Sequence, residues 1–600
     1  MPRLYTINNM KYNGKIGGEA GFGIMTSGQI LSKIAARAGY HVYDYTEYPS
    51  LIRGGHNTYE VVISDEPVGA SKWAVDMLVC LNKETFDHHK KRLHKESYVI
   101  YDPGEVTPEG EGRFVPIPFK KIKQEQQVHQ QLINTVALAA SLVLMGGKLE
   151  TFEDILRIQF SKKGQEIVDF NIKLARIGHD QVKNSGIEVG TVLVEREDRP
   201  DKATMAGNDM FSLAAVGADC RYFAAYPMTP ASTVLSDLAA WQYETGMVVR
   251  HPEDEIAVIN SALGASFAGA RSAVATSGGG FALMVEALSY AGIAEIPVVV
   301  FMSMRPGPAT GMPTWTEQAD LLFTVHAGHG EYPKIVFTPG DIDEMLSLTL
   351  KGFDMADIYQ TPVIVMSDKQ LSESRKDILA STLNDTLKNH SPNRGKIVEH
   401  TNQMPYLRFK DETDGISEML LPGQPDIFYQ ANSYEHVEDS HTSEDAAVKI
   451  QQTNKRNRKI KTYLTDHFEL PKIYGDPSQS DIIFVSWGSV KGAIREAQKD
   501  LETLGTSTAY IHFTHVYPMD EKKIQGIFDR LKNKRIILIE NNSQAQFGQL
   551  LRMQTGITID EKFLKYDGRP FWPEEIVNYI TKGTMHITKI DIASRLSFRH

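Results

Sequence analysis

Apolar and polar positions follow two rhythms along this chain. Short apolar runs bounded by turn residues predict buried strands, and runs with apolar residues three and four apart predict helices. Between about residues 11 and 185, strand patterns at 12–18, 41–45, 58–64 and 77–82 alternate with helical ones. One helical pattern carries Ile30, Leu31 and Ile34 on a single face. Another, over 136–145, is strongly apolar, with Asn134 placed as its N-cap. This alternation predicts an α/β unit with a mainly parallel sheet.

A charged linker, EREDRPDK, spans 195–202. A second α/β unit then runs from about 204 to 375, with strands expected at 222–225, 272–275, 297–302, 334–337 and 362–366. Each is short, apolar and followed by turn residues, as buried parallel strands are. Residues 376–478 lack long apolar runs. Their acidic stretch (435–445) and basic stretch (455–461) have the character of solvated surface, and the segment is expected to be an extended connection. A third α/β unit over 479–600 shows strands at 481–486 and 534–539 around an amphipathic helix at 493–504.

Composition narrows the function. The length of 600 residues fits about four domains, or three larger ones. With 64 Lys plus Arg against 75 Asp plus Glu, the net charge of −11 argues against a nucleic-acid binder. Two cysteines, Cys80 and Cys220, exclude a disulfide framework and the four thiolates of an iron–sulfur cluster, and fit a reducing cytoplasm. The N-terminus lacks the apolar core of a signal peptide, and no apolar run is long enough to span a membrane.

Four stretches of the second unit carry candidate chemistry. In Tyr226-Pro227-Met228-Thr229-Pro230, Thr229 followed by Pro230 has the pattern of an N-cap with Pro at N1, and a helix N-terminus there would suit an anion. In His251-Pro252-Glu253-Asp254-Glu255, the acids complement the dipole of the small-residue helix that follows. Glu255 leads onto its Ala/Gly-rich face. Thr276-Ser277-Gly278-Gly279-Gly280 is a glycine turn that permits close approach, a feature many α/β turns share. In the stretch from Met304 to Gln318, Arg305 ends an apolar strand in a ligand-crevice position. Thr314 and Glu317 have capping-box spacing. There is no P-loop, HExxH or GxSxG motif. Gly18-x-x-Gly21-x-Gly23 is not the dinucleotide fingerprint, and His88-His89 reads as an isolated surface or packing pair.

Taken together and in this order, YPMTPAS, HPEDE, TSGGG and RPGPATGMPT resemble the α subunits of 2-oxoacid:ferredoxin oxidoreductases. The resemblance extends to GGEAGFG and EYPSLIRGGHN near the N-terminus, and to SYEHVEDSHTSED, SWGS, ENNSQAQFGQ and YDGRPF further on. It is closest to the 2-oxoglutarate type, in which a γ-like domain precedes α. It implies a γ-like domain (1–194), a thiamine diphosphate pyrimidine-binding domain (195–375), the connecting segment (376–478) and a transketolase C-terminal-like domain (479–600). The implied reaction is oxidative decarboxylation of a 2-oxoacid with coenzyme A, reducing ferredoxin. Pyruvate or a branched or aromatic 2-oxoacid is the alternative substrate, and a non-catalytic scaffold is the alternative class. The resemblance places Glu255 opposite N1′ of the aminopyrimidine, with Tyr226 and Pro227 beside the cofactor. It places Thr229, Arg305 and Thr314 on the substrate carboxylate, and Gly21, Gly23 and Arg53 near coenzyme A. The Gly-Asp-Gly of a diphosphate motif is absent. The resemblance therefore assigns the diphosphate half, its Mg²⁺ and a [4Fe–4S] cluster to a separate β subunit, in an (αβ)₂ assembly with neither nucleic acid nor membrane as partner.

Overall fold

The computed structural model describes residues 10–50, 54–196 and 199–583. Arg53 lies outside them. Three large sheets organise the chain, flanked by helices in an α/β architecture.

The first sheet has eight strands, in the spatial order Arg113–Pro116, Tyr98–Tyr101, Met77–Cys80, Lys11–Glu19, His56–Ser64, His41–Glu47, Arg375–Leu379 and Lys202–Ala206. Its first four strands are parallel. His56–Ser64 is antiparallel to both neighbours. The expected parallel sheet is thus mixed here, because the chain leaves His41–Glu47 through a short connection and returns beside it. The helix Ile24–Arg37 packs close on His56–Ser64 because Gly28 has no side chain. A methyl group there would stand 2.0 Å from the Tyr59 ring. Asn134 does not cap the apolar helix, which begins earlier, as Gln130–Leu144. The side chain of Asn134 is buried and donates to Phe22 O, tying the GGEAGFG turn to the helix.

Beneath this sheet Glu60 is fully buried. Lys15 Nζ lies 3.0 Å from its carboxylate, and Arg92 forks onto both oxygens at 2.9 and 3.1 Å. Burial alone would raise the Glu60 pKa, but Arg92 and Lys15 overcome it and hold the carboxyl down to about 2. A depressed acid stabilises the fold above its unfolded pKa and loses that contribution as pH falls through the folded value. Between about pH 4.5 and 2, native protein is therefore expected to lose more stability than Glu60→Gln. Urea midpoints across that range check this, and parallel curves would contradict it.

The second sheet runs Lys-free through its centre, in the order His515–Tyr517, Ile335–Phe337, Pro362–Asp368, Val298–Met304, Ser272–Thr276, Tyr222–Ala225 and Val248–Arg250. All pairings except that of His515–Tyr517 are parallel. The third sheet, around Ile482–Trp487, is parallel except at its Lys472–Tyr474 edge. The second and third sheets share one core, in which Met302 and Val274 join Trp487, Phe513 and Phe547.

The sheets draw strands from beyond their own stretch of sequence. Lys202–Ala206 and Arg375–Leu379 complete the first sheet, and His515–Tyr517 completes the second. Between the second and third units, the basic run lies on a helix, Ala446–Asp466. It is not solvated surface. Lys455 and Lys459 are buried, each 2.6 Å from the equally buried Glu295. Glu295 answers both cations, so its removal leaves them uncompensated in the interior. Glu295→Gln is expected to cost about 3–5 kcal/mol, read as the shift in unfolding free energy by denaturant titration. A loss below about 1 kcal/mol, the range of an exposed pair, would contradict it.

Candidate active site

The four candidate stretches converge because of sheet order. Val248–Arg250, Tyr222–Ala225, Ser272–Thr276 and Val298–Met304 are consecutive parallel neighbours. HPEDE, YPMTPAS, the glycine turn and Arg305 each follow the C-terminal end of one of them. Parallel strands put those ends on one edge, where open α/β sheets bind ligands.

Asp254 caps the helix Glu255–Phe267, its Oδ1 accepting from Ala257 N–H at 2.7 Å. That leaves Glu255, the first helical residue, free of capping duty. It is 4% exposed, and its Oε1 is buried with no hydrogen-bond partner among the described residues. A buried carboxyl oxygen without a partner costs free energy unless something else meets it. The Glu255 carboxyl lies over the first turn of the helix Gly278–Ala294. A methyl group at Gly280 would stand 2.4 Å from Glu255 Oε1 and 2.2 Å from Thr276 Oγ1. Gly280→Ala is therefore expected to push the Glu255 carboxyl out of place. The helix preference of alanine, up to about 1 kcal/mol, offsets only part of the clash with the buried Thr276, so the melting temperature should fall modestly while turnover falls about tenfold or more. Undiminished turnover with an unchanged melting temperature would contradict this.

Arg305 follows Met304 at the strand end, half-buried, and its Nη1 donates to Thr229 O at 2.7 Å. Thr229 does not cap a helix. Its peptide bond to Pro230 is cis, and Ala231 N–H closes a turn onto Met228 O at 2.9 Å. Pro230 O accepts from the buried Asn208, and the helix starts only at Ser232. Because the loop packs inward at Pro230, the helix start moves beyond it. Tyr226, at the strand end, is 39% exposed and meets the His251 ring edge-on at 5.8 Å. Pro227 beside it is exposed.

Thr314 is buried, with Oγ1 lacking a partner among the described residues. It forms no capping box with Glu317, because 311–320 is irregular and the next helix is Leu321–His326. Instead this loop is held by the last unit. Thr316 N–H donates to Gly568 O at 3.2 Å, Gln318 N–H to Asn541 O at 2.8 Å, and Arg569 stacks 3.2 Å from the Trp315 ring centroid. The Glu317 carboxyl is pushed up to about 7 by burial, then by the charges of Asp320 and Asp567.

A hydrogen bond links Arg305 to Thr229 and close packing links the glycine turn to Glu255, all at one sheet edge, whereas Thr314 Oγ1 has no partner among the described residues. Sequence patterns did not single out Gly280 as the seat of Glu255, nor Asn208 and Asn541 as anchors. The only signal for Asn541 was its place in ENNSQAQFGQ. In the first unit, Gly21 and Gly23 have φ of 91° and 80° and shape the turn after Lys11–Glu19. His88 and His89 are not isolated in space. His56 reaches His89, Nε2 to Nε2, at 2.9 Å. No helix among the described residues is long and apolar enough to cross a membrane.

The residues fit the aminopyrimidine half of thiamine diphosphate. The unpartnered Glu255 Oε1 can face a ring nitrogen, and the Gly280 notch leaves the carboxyl its place. Residues 213–455 match the family model described as pyruvate flavodoxin/ferredoxin oxidoreductase, thiamine diphosphate-binding, and residues 13–181 match pyruvate ferredoxin/flavodoxin oxidoreductase. The chain is 31% identical to the 2-oxoacid:ferredoxin oxidoreductase subunit alpha of Saccharolobus solfataricus, over 94% of this chain and 97% of that one. It is 30% identical to the 2-oxoglutarate synthase subunit KorA of Methanothermobacter thermautotrophicus, over 63% of this chain and 97% of that one. Among solved structures it is similar to the 2-oxoglutarate:ferredoxin oxidoreductase of Magnetococcus marinus, with a TM-score of 0.88, 31% identity, and 95% and 99% of the two chains covered. On its sequence motifs, its fold and these relatives, the chain belongs to the 2-oxoacid:ferredoxin oxidoreductase family, among the α subunits.

Proposed function

We propose that this chain is a catalytic α subunit that oxidatively decarboxylates a 2-oxoacid, 2-oxoglutarate first among candidates, with coenzyme A. The products are an acyl-coenzyme A, CO₂ and reduced ferredoxin, the two electrons released passing singly to two ferredoxins. The observation that carries the reading is the buried, unpartnered Glu255 Oε1 at the shared sheet edge.

When bound, thiamine diphosphate supplies the electron sink for decarboxylation. This chain's residues do the binding and proton transfer in their half of that site. Glu255 holds or releases a proton at Oε1 toward the ring, general acid–base work in a position closed to water. Arg305, anchored by Thr229 O, offers its remaining N–H groups to a carboxylate. Tyr226 and Pro227 would line the cofactor, and the Thr229 and Thr314 hydroxyls would add donors beside the substrate. Against a scaffold stands the retention of all these groups.

A separate β subunit completes the site in this proposal, bringing the diphosphate half, Mg²⁺ and the cluster. Cys80 and Cys220 support that division. Both are buried and free, and burial raises both thiols, Cys220 to about 12, away from the thiolate form a cluster needs. The four segments 1–194, 195–375, 376–478 and 479–600 are proposed as its domain division, with the first closing over coenzyme A. The 2-oxoglutarate preference draws on the names of the Methanothermobacter and Magnetococcus relatives. It is tested by comparing kcat/KM for 2-oxoglutarate, pyruvate, and branched and aromatic 2-oxoacids, with a viologen acceptor, in the complex with the partner. A higher value for any of the others would overturn the preference and leave the reaction class standing.

A further inference from the structure

In the loop 311–320, hydrogen bonds to the rest of the molecule begin at Thr316. Thr316 N–H donates to Gly568 O, its Oγ1 accepts from Gln370 N–H at 3.2 Å, and Gln318 N–H donates to Asn541 O. Among the described residues no hydrogen bond reaches Pro313 or Thr314, and Trp315 N–H only closes a turn onto Met312 O at 3.1 Å. The Thr314 hydroxyl is buried and unpartnered. Its place therefore depends on how the neighbouring Trp315 ring is held.

The ring is held from outside the loop. Arg569 of the last unit lies over it, the guanidinium carbon 3.2 Å from the ring centroid. Gly568 lets the two segments approach, since a methyl group there would stand 3.0 Å from Met312 Cε and 3.4 Å from Trp315 Cβ. The Arg569 backbone is itself fixed, its O accepting from Asn541 Nδ2 at 3.1 Å and its N–H donating to Asp567 Oδ1 at 2.9 Å. The guanidinium then meets the first unit. Its Nε is 3.5 Å from Oε1 of Glu47, the last residue of the strand His41–Glu47. The other Glu47 oxygen is 3.6 Å from Lys15 Nζ, which lies 3.0 Å from the buried Glu60. The side chains of Arg569 and Glu47 are only 18% and 16% exposed, so both contacts are largely shielded from water.

We propose that Arg569 is the positioning residue of this loop and that Glu47 of the first unit aims it. Through Trp315 the pair holds Thr314 where its hydroxyl meets the 2-oxoacid. Docking of the first unit onto the last thereby sets substrate affinity. This deepens the function proposed above and rests on Thr314 as a substrate contact. A stack that served only to join the units would lower stability and leave KM unchanged.

The test uses the full chain purified with its partner subunit. KM and kcat for 2-oxoglutarate are read with a viologen acceptor, and hydrogen exchange over residues 312–316 is read by mass spectrometry on the same complexes. Arg569→Ala should raise KM about tenfold, the worth of a desolvated cation–π stack. It should leave kcat nearly unchanged and speed exchange over 312–316. Trp315→Leu should match it. Arg569→Lys keeps the charge beside Glu47 without the planar stack, so it should recover only part of the KM. Glu47→Gln should raise KM about threefold and add nothing once Arg569 is alanine, because the two act in series. If Arg569→Ala fails to assemble, Arg569→Lys and Glu47→Gln carry the same comparison. Thr314→Val reads the contact that the loop itself makes. A raised KM in Thr314→Val beside unchanged KM and exchange in the Arg569 variants would overturn the positioning role alone. An equal effect of Glu47→Gln with and without Arg569 would overturn the aiming by Glu47. An unchanged KM in Thr314→Val would overturn Thr314 as a substrate contact, and this proposal with it.

Discussion

Glu255→Gln in the assembled enzyme is expected to lower kcat by about 10²–10⁴-fold, the usual worth of a positioned acid–base group. The substitution keeps the size of the side chain and removes the ionisable oxygen. Structure should therefore survive where proton exchange does not. The free chain already carries the burden of this carboxyl, whose Oε1 is buried without a partner. A group kept for stability would not be left in that state, since an unsatisfied buried polar atom costs about 1–3 kcal/mol. Melting temperature is thus expected to change little as kcat collapses. Stopped assays under saturating 2-oxoacid and coenzyme A, paired with thermal melts, separate the two. A fall in stability with kcat intact would make Glu255 a structural residue.

Arg305→Ala is the second large effect. Removing charge-assisted contacts to a substrate carboxylate costs about 1.5–3 kcal/mol, or roughly 10–150-fold in kcat/KM. Most of the loss should lie in KM, because the carboxylate is held before and after the reacting carbon changes. Arg305→Lys should rescue only part of it. A point charge on a flexible stem cannot both reach Thr229 O, as Arg305 does at 2.7 Å, and present a planar fork to the ligand. An unchanged KM in Arg305→Ala would place the substrate elsewhere.

The second sheet was legible because its strands are buried on both faces. Val298–Met304 and Pro362–Asp368 are continuous apolar runs, and their order along the chain brings the motifs to one edge. Lys202–Ala206 and Arg375–Leu379 were not legible. KATMA and RKDIL are only partly buried, and they become strands by pairing with each other across the whole intervening second unit. Lys455 and Lys459 read as solvent-facing because nothing local reveals Glu295, distant in sequence, as their partner. The same blindness to distant groups affected the site. Thr229 and Thr314 have good capping patterns. Asn208 pulls the first loop inward, and Gly568 and Asn541 pin the second in an irregular path. Glu255 was legible because it sits in the HPEDE motif that carries the family resemblance and leads onto an Ala/Gly-rich helix face, whereas the capping of that helix by Asp254 emerges only in the structure.

The account rests on one claim, that this chain holds the proton-exchanging half of a site completed by a partner. The most direct measurement is an anaerobic, coenzyme A-dependent reduction of viologen by 2-oxoglutarate, with the chain alone and with its co-purified partner subunit. The account predicts no reduction by the chain alone, reduction by the pair, and loss of that reduction in the pair carrying Glu255→Gln. Coenzyme A-dependent reduction by the chain alone, or full reduction by the Glu255→Gln pair, would contradict it.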